Sequence, residues 1–590
     1  MSEKLSEVRE LMLQAGVDAY FLPHNDPHNN EYLAEPDKRM PFISGFKGSN
    51  GQMLITLSQA LLWTDGRYWI AAGKELYEGW TLMKLKKGEP RYYEWIVQNL
   101  PKGFVVGFDP KIITAEALEN RRKYFQDLGY EFRALEQNLV NSVWTDRPGY
   151  SEEPVTVLDV QYSGASIKDK VNQIRPKMKE LNQHYLFTGV MDEIAWLLNL
   201  RGNDIEYNPL FFSYLLVHIP NDHEFNLHLF VNYHKVEPIH SYLRENHVTI
   251  HDYSDVEHFI TEVTSPVVID KSETNYFIFS KLKEPFHAKS IISHLKAIKN
   301  STECEGFRNC HIRDGIAVCR YFAWIKDQLH KGNQVTEWTG SEELRKLRAE
   351  EPLNKGLSFS TISSVGPNAA IIHYEPTEES AAQITAQSIY LLDSGGHYLD
   401  GTTDTTRTVH FGEPSDWEKE CYTRVLLGNL DLVRVVWPKW SNLSGNEIEL
   451  LARRHLWEKG LDFQHATGHG VGHYLCVHEG PQVLSIGCKE PFEVGMNVTN
   501  EPGYYEEGAF GIRIEDVMLV VEKNPGFIGF ENVTMVPYEK NLMKLEMISD
   551  KDKEFINNYH SVVWDKLSRV LEERRDYFTL EWLREATSPI

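Results

Sequence analysis

The stretch that most constrains this chain lies between Asp393 and Glu515. It runs through LLDSGGHYLDGTTDTTRT, HATGHGVGHYLCVHEGP and NEPGYY to GIRIED. Carboxylates and histidines recur there beside glycines, prolines and short apolar runs, the pattern of ligating groups held on strand ends and tight loops. Asp393 ends the apolar run SIYLLD, Gly395 and Gly396 turn the chain, and DGTTDTTRTV returns as a threonine-rich strand. The spacing predicts a hairpin that brings Asp393 and Asp404 to one place. A single Asp beside Gly commonly makes a turn and nothing more. That role suits Asp400, which Gly401 follows, better than it suits Asp404.

His465, His469 and His473 fall at i, i+4 and i+8, the spacing of a metal-binding helix face. Gly468, Gly470 and Gly472 stand between them, and each would cost a helix about 1 kcal/mol relative to Ala. The stretch therefore reads as a loop or strand where backbone approaches its surroundings closely, with His469 framed by glycines and His473 a wall or exposed residue. His478 follows at the turn HEGP, and Glu501 precedes Pro502, which biases it to an extended conformation. In FGIRIED, alternation places Ile512 and Ile514 on one face and Arg513 and Glu515 on the other. Alone, that is a half-buried strand with a surface Arg–Glu pair. Taken together, Asp393, Asp404, His469, Glu501 and Glu515 form an oxygen-rich set with one imidazole, suited to Mn²⁺, Co²⁺ or Zn²⁺. Two such ions side by side activate a bridging water and polarise a carbonyl, which is hydrolytic chemistry. GxGxxG, Walker A, GxSxG and HExxH signatures are absent from the sequence.

The other bounds are broader. A length of 590 residues calls for several domains. A net charge of −24 argues against a protein that tracks nucleic-acid phosphates. The six cysteines form no CxxC pair and read as reduced core thiols. The charged start MSEKLSEVRELML is not a signal peptide, and no apolar run is long enough to span a membrane, so a cytoplasmic location without membrane attachment is expected. Ser2 is placed to cap a first helix with Leu5, Val8, Leu11 and Met12 on its apolar face. Alternating helices and strands come next, an α/β pattern, up to a linker at WTDRPGYSEEP. A second unit repeats the order of elements, which suggests a duplicated fold. A long helix then starts with Ser301 or Thr302 as cap, and a last one opens on a Ser549–Asp552 capping box with Phe555, Tyr559 and Val563 as its stripe. Domain limits of 1–148, 149–300 and 301–590 are expected. The chain before Asp393 reads as scaffold and substrate-handling wall, and the segment after Glu515 as a closing flap.

The order DSG, DGTTDxTRT, GHGVG, HEGP, NEPGYY, GIRIED resembles the pita-bread metallopeptidases. Within them it resembles aminopeptidase P, the Xaa-Pro aminopeptidases, in their long three-domain cytosolic form. LNLRGNDIEYNPLFFSY, KNSTECEGFRNCHIRDG and EWLREATSPI extend the resemblance over nearly the whole chain. It implies two creatinase-like N-terminal α/β domains followed by a C-terminal pita-bread catalytic domain. It also implies cleavage of the bond between an N-terminal residue and a following proline, through a metal-bridging hydroxide. Two divalent ions are implied, Mn²⁺ first and Zn²⁺ or Co²⁺ as alternatives. Asp393 would bind one, Asp404 and Glu515 both, and His469 and Glu501 would complete the other. His373, in IIHYEP, and His478 would hold the substrate carbonyl and the developing oxyanion or leaving nitrogen. His465 and Arg513 would be supporting or proline-side wall residues, with Tyr504 or Tyr505 shaping the pocket. A homodimer is the family's usual state. His24 and His28, in the loop HNDPHNNEY, and His473 receive no role from the resemblance. The rivals are a prolidase-type Xaa-Pro dipeptidase, a methionine aminopeptidase, a metal-free creatinase-like enzyme, and a non-catalytic peptide- or protein-binding member of the fold.

Overall fold

The computed structural model describes residues 3–590; the expected cap Ser2 lies outside the described residues. It divides into two compact units, one of the residues up to Leu158 with Ala165–Ile292, the other of Asp159–Gly164 with Ser293–Ile590.

The first unit holds two six-stranded sheets of one topology. In the first, Ala19–Pro23 pairs antiparallel with Gln52–Thr56 and parallel with Val105–Phe108. In the second, Tyr185–Thr188 pairs antiparallel with Ser213–His218 and parallel with Val267–Ile269. The outer strands extend both sheets in the same sense. Ala19, Tyr20, Phe21 and Leu22 are buried in succession, as in a strand covered on both faces. The two halves meet through matching backbone bonds. Ala115 N–H donates to Thr274 O at 2.9 Å while Tyr276 N–H donates to Ile113 O at 2.8 Å. Glu116 N–H to Lys271 O and Phe277 N–H to Pro110 O, both 2.9 Å, repeat the reciprocity further along. Thr114 and Asn275, the N-caps of the two helices involved, form the bridge at the centre. The duplication expected from element order is thus a duplication of topology and of contact.

The second unit is built on the helix Ser301–His330. Its cap is Asn300, not Ser301 or Thr302: the Asn300 side chain accepts from Glu303 N–H and Glu303 accepts from Asn300 N–H, both at 3.0 Å. Three good capping residues in a row leave the choice to the reciprocal partner three residues on. Strands Ile362–Val365, Tyr390–Ser394 and Thr405–Val409 form one sheet. Val436–Pro438, Phe527–Asn532, Asp516–Asn524 and Asn497–Asn500 form another.

The segment after Glu515 is not a flap. Ile556, Tyr559, Val563, Leu567 and Leu571 of helix Asp550–Arg574 are buried in the same core as Ile316, Tyr422, Ile512 and Ile514. A polar knot fixes it further. Arg407, fully buried, donates to Asp516 Oδ1 at 2.8 Å, to Tyr559 Oη at 3.0 Å and to Val536 O at 2.7 Å. Removing the guanidinium would leave a buried Asp516 without its counter-charge. Arg407→Ala is therefore expected to lower the stability of this unit by about 3–5 kcal/mol, read from its denaturant midpoint. Of the cysteines, all free, Cys310, Cys319 and Cys421 are core residues, whereas Cys304, Cys476 and Cys488 are only half-buried. Among the described residues no helix is long and apolar enough to cross a membrane.

Candidate metal centre

Asp393 lies on Tyr390–Ser394, opposite Thr406 of the antiparallel Thr405–Val409. Asp404 immediately precedes that strand. The expected hairpin therefore exists, with a smaller one, Gly396–Tyr398 against Gly401–Thr402, inserted at its tip. Asp400, at that tip, is paired with Arg313 and has the structural role its Gly neighbour suggested.

The histidine stretch is a strand, Gly468–Gly470, antiparallel to Glu479–Leu484. Its glycines are required by proximity. A Cβ on Gly468 would sit 1.9 Å from the Thr499 carbonyl oxygen, and one on Gly470 would sit 2.6 Å from that of Glu479. So the helical spacing of the three histidines has no helix beneath it. His469 Nε2 is 3.4 Å from Asp404 Oδ2 and 3.5 Å from Glu501 Oε1. His465 Nδ1 is 3.9 Å from Glu501 Oε2, and its Nε2 is 2.8 Å from Tyr505 Oη. His473 turns instead to the helix Ser301–His330, its ring edge-on to Phe307. His478 stands beside His469 with ring centroids 4.3 Å apart.

Asp404, His469 and Glu515 offer ligand atoms all within 4.8 Å of one another. Glu501, just past Asn497–Asn500, is tied down by its N–H to Thr467 O at 2.8 Å. Arg513 is not in a surface pair with Glu515. It is buried, donating from Nη2 to Asp393 Oδ2 at 2.6 Å and from Nη1 to Tyr505 Oη at 2.7 Å. Its Nη2 also lies 3.4 Å from the carbonyl of Ile372, the neighbour of His373. His373 itself is half-buried in the loop after Gly366–Ala370.

The donor set fits divalent cations. Asp393 Oδ1 is buried without a protein partner, as a ligating oxygen facing an ion would be. Burial, and next the negative charge of Asp404, raises the Glu515 carboxyl well above its usual range. Burial also raises Asp393 and Glu501, against the opposing pull of Arg513 on the first and of His469 on the second. The carboxylates carry more negative charge than Arg513 balances, and divalent cations would offset the excess.

Thr406 and Thr499 are neighbours of the cluster that the sequence does not single out. Thr406 Oγ1 donates to Glu515 Oε2 at 2.9 Å and Thr499 Oγ1 to Glu501 Oε1 at 3.3 Å. Each orients a carboxylate of the cluster. The run of threonines around Asp404 is the only signal for the first.

Comparison with known proteins gives a consistent assignment. The profile of metallopeptidase family M24 matches residues 305–522, and that of the C-terminal region of peptidase M24 matches 526–590. Two creatinase/prolidase N-terminal domain profiles match 4–138 and 146–303. A probable Xaa-Pro aminopeptidase P of Laccaria bicolor is 43% identical, covering 100% of this chain and 94% of its own. The Xaa-Pro aminopeptidase ApepP of Drosophila melanogaster is 41% identical over 99% of both. The crystal structure of X-prolyl aminopeptidase from Caenorhabditis elegans, described as a cytosolic enzyme with a di-nuclear active site, superposes with a TM-score of 0.95 at 36% identity, covering 100% of this chain and 99% of that one.

Proposed function

We infer the reaction of this site from its kin and its donors: the chain belongs to metallopeptidase family M24, among the Xaa-Pro aminopeptidases P. It is a metallo-exopeptidase that hydrolyses the bond between an N-terminal residue and a penultimate proline. The observation that carries this reading is the convergence of Asp404, His469 and Glu515 in a chain that aligns along its full length with such enzymes.

Asp393, Asp404, His469, Glu501 and Glu515 would hold two divalent ions, and the oxygen-rich donors with one imidazole favour Mn²⁺ over thiophilic metals. Bound there, such ions supply Lewis acidity and a nucleophile usable at neutral pH. The chain's own residues do the rest. Arg513, paired with Asp393 and Tyr505, keeps Asp393 aimed inward, which favours a supporting role over that of a pocket wall. His465, against Tyr505 and Glu501, shares that supporting role. His478, beside His469, would hand a proton to the leaving nitrogen. That proton is indispensable, because a proline nitrogen within a peptide has none of its own. His373 would hold the substrate carbonyl. Domain limits at 148 and 300, a cytoplasmic location and a homodimer belong to the same reading.

The test is hydrolysis of an Xaa-Pro-Pro tripeptide and an Xaa-Pro dipeptide, side by side, by chelator-stripped protein with and without Mn²⁺. Metal-dependent cleavage of the tripeptide alone is expected. Cleavage of the dipeptide alone would make the protein a prolidase, and cleavage of neither with metal bound would point to another peptide class.

A further inference from the structure

We propose that Glu337 is a positioning residue for His373; this rests on the reading of His373 as a group that faces the substrate. Glu337 is the first residue of the helix Glu337–Ala349 and is fully buried. Its carboxylate is ringed by donors. Val365 N–H donates to Oε1 at 2.7 Å, and the Asn368 side-chain amide reaches both oxygens at 3.1 Å. Tyr374 O–H donates to Oε2 at 2.8 Å, and Ala382 N–H donates to Oε2 at 2.7 Å. An ionised carboxylate is acceptor-only with about four lone-pair sites, so the set is saturated.

These donors come from three successive parts of one excursion: the end of strand Ile362–Val365, the turn through Asn368 and Tyr374, and the return at Ala382. His373 lies inside the loop they close, next to Tyr374. The other side of the loop rests on the strand Phe510–Arg513. Arg513 Nη2 donates to Ile372 O at 3.4 Å, and a Cβ on Gly511 would fall 1.8 Å from the Ala369 carbonyl oxygen. The loop is therefore held between the Glu337 carboxylate and the strand that carries Arg513. An acidic residue at a helix N-terminus ordinarily serves the helix. This helix has its own cap, Thr336 with Thr339 in reciprocal bonds, and the bonds of Glu337 go to the loop.

A neutral amide of the same shape sets an N–H donor against donors and leaves at least one buried partner without an acceptor. A displacement of about 1 Å in a group that positions substrate costs ~10²-fold in rate. Glu337→Gln is expected to lower kcat/KM on an Xaa-Pro-Pro peptide by about 30–300-fold, mostly in kcat, with bound metal per chain unchanged. Tyr374→Phe, which removes one donor, should lose about 3–10-fold. The deciding readout is the double variant. If Glu337 acts through His373, Glu337→Gln adds no further loss to His373→Gln. A merely structural role multiplies the two losses and lowers metal content, which would overturn the proposal, as would a Glu337→Gln enzyme with wild-type rate. Wild-type rate in His373→Gln would sink the reading of His373, and the proposal with it. An impaired His373→Gln with multiplying losses would sink the proposal alone. Should Glu337→Gln not fold, the same cycle run with Tyr374→Phe decides: its loss must vanish in the His373→Gln background.

Discussion

Asp404→Ala is expected to lose at least ~10³-fold in kcat/KM on an Xaa-Pro-Pro peptide and most of the bound metal, while the chain stays folded. The side chain sits where the site converges, 3.4 Å from His469 Nε2 and in one cluster with Glu515. The strand it precedes, Thr405–Val409, is held by backbone pairing with Tyr390–Ser394 and does not need the carboxylate. The metal dependence of the stability separates a ligand from a structural residue. The charge of Asp404 helps raise the carboxyls of Glu515 and Asp393, and it also favours the protonated imidazole of His469, so in metal-free protein the variant relieves a repulsion and loses an attraction at once. Metal-free Asp404→Ala should therefore melt close to the metal-free parent. Added Mn²⁺ should raise the parent's melting temperature, by about 2.7 kcal/mol of linkage at a hundredfold excess over Kd, and should leave the variant's nearly unmoved. Melting curves with and without Mn²⁺, metal analysis and kcat/KM check this together. Retained turnover would remove the two-metal reading.

The site is legible in the sequence, and other parts are not, because of the range of the contacts involved. Three of the five proposed ligands are flagged by their immediate neighbours: Asp393 by the turn glycines, His469 by the flanking glycines, Glu501 by Pro502. The glycines around His469 exist because backbone passes so close there that a side chain would collide, as at Gly468 against Thr499. Contacts made across long sequence separations leave no such trace. The stripe of Phe555, Tyr559 and Val563 announces burial but not where. In the fold that helix joins the central core and holds Arg407 through Tyr559, which is why the expected flap is a structural layer. Arg513 and Glu515, two apart in an extended segment, share a face by alternation, yet Arg513 reaches Asp393 instead; the sheet neighbour decides, not the alternation. Glu337 reads as an ordinary helix-end acid, since nothing local distinguishes a carboxylate serving its helix from one serving a distant loop.

His478→Ala is expected to behave differently from Asp404→Ala, and the contrast fixes the division of labour. Its ring stands 4.3 Å from that of His469, and the chain beside it has an anchor of its own. The next residue, Glu479, is fully buried between Lys296 Nζ, at 2.6 Å, and Lys299 Nζ, and its backbone pairs with Gly470 beside His469. A buried carboxylate with two ammonium partners is a firm anchor, because withdrawing it would strand charge in the core. The main chain at 478 should therefore stay in register when the imidazole is removed. On the proposed reading what is lost is a proton donor for a tertiary amide nitrogen, so kcat should fall by about 10²–10⁴-fold with metal content and melting temperature unchanged. The loss should shrink on an activated substrate whose leaving group needs no proton, since a donor matters only where the leaving group is basic. A metal content reduced in His478→Ala would instead make His478 a ligand, and the shell assigned to His469 and Glu501 would have to be redrawn around it.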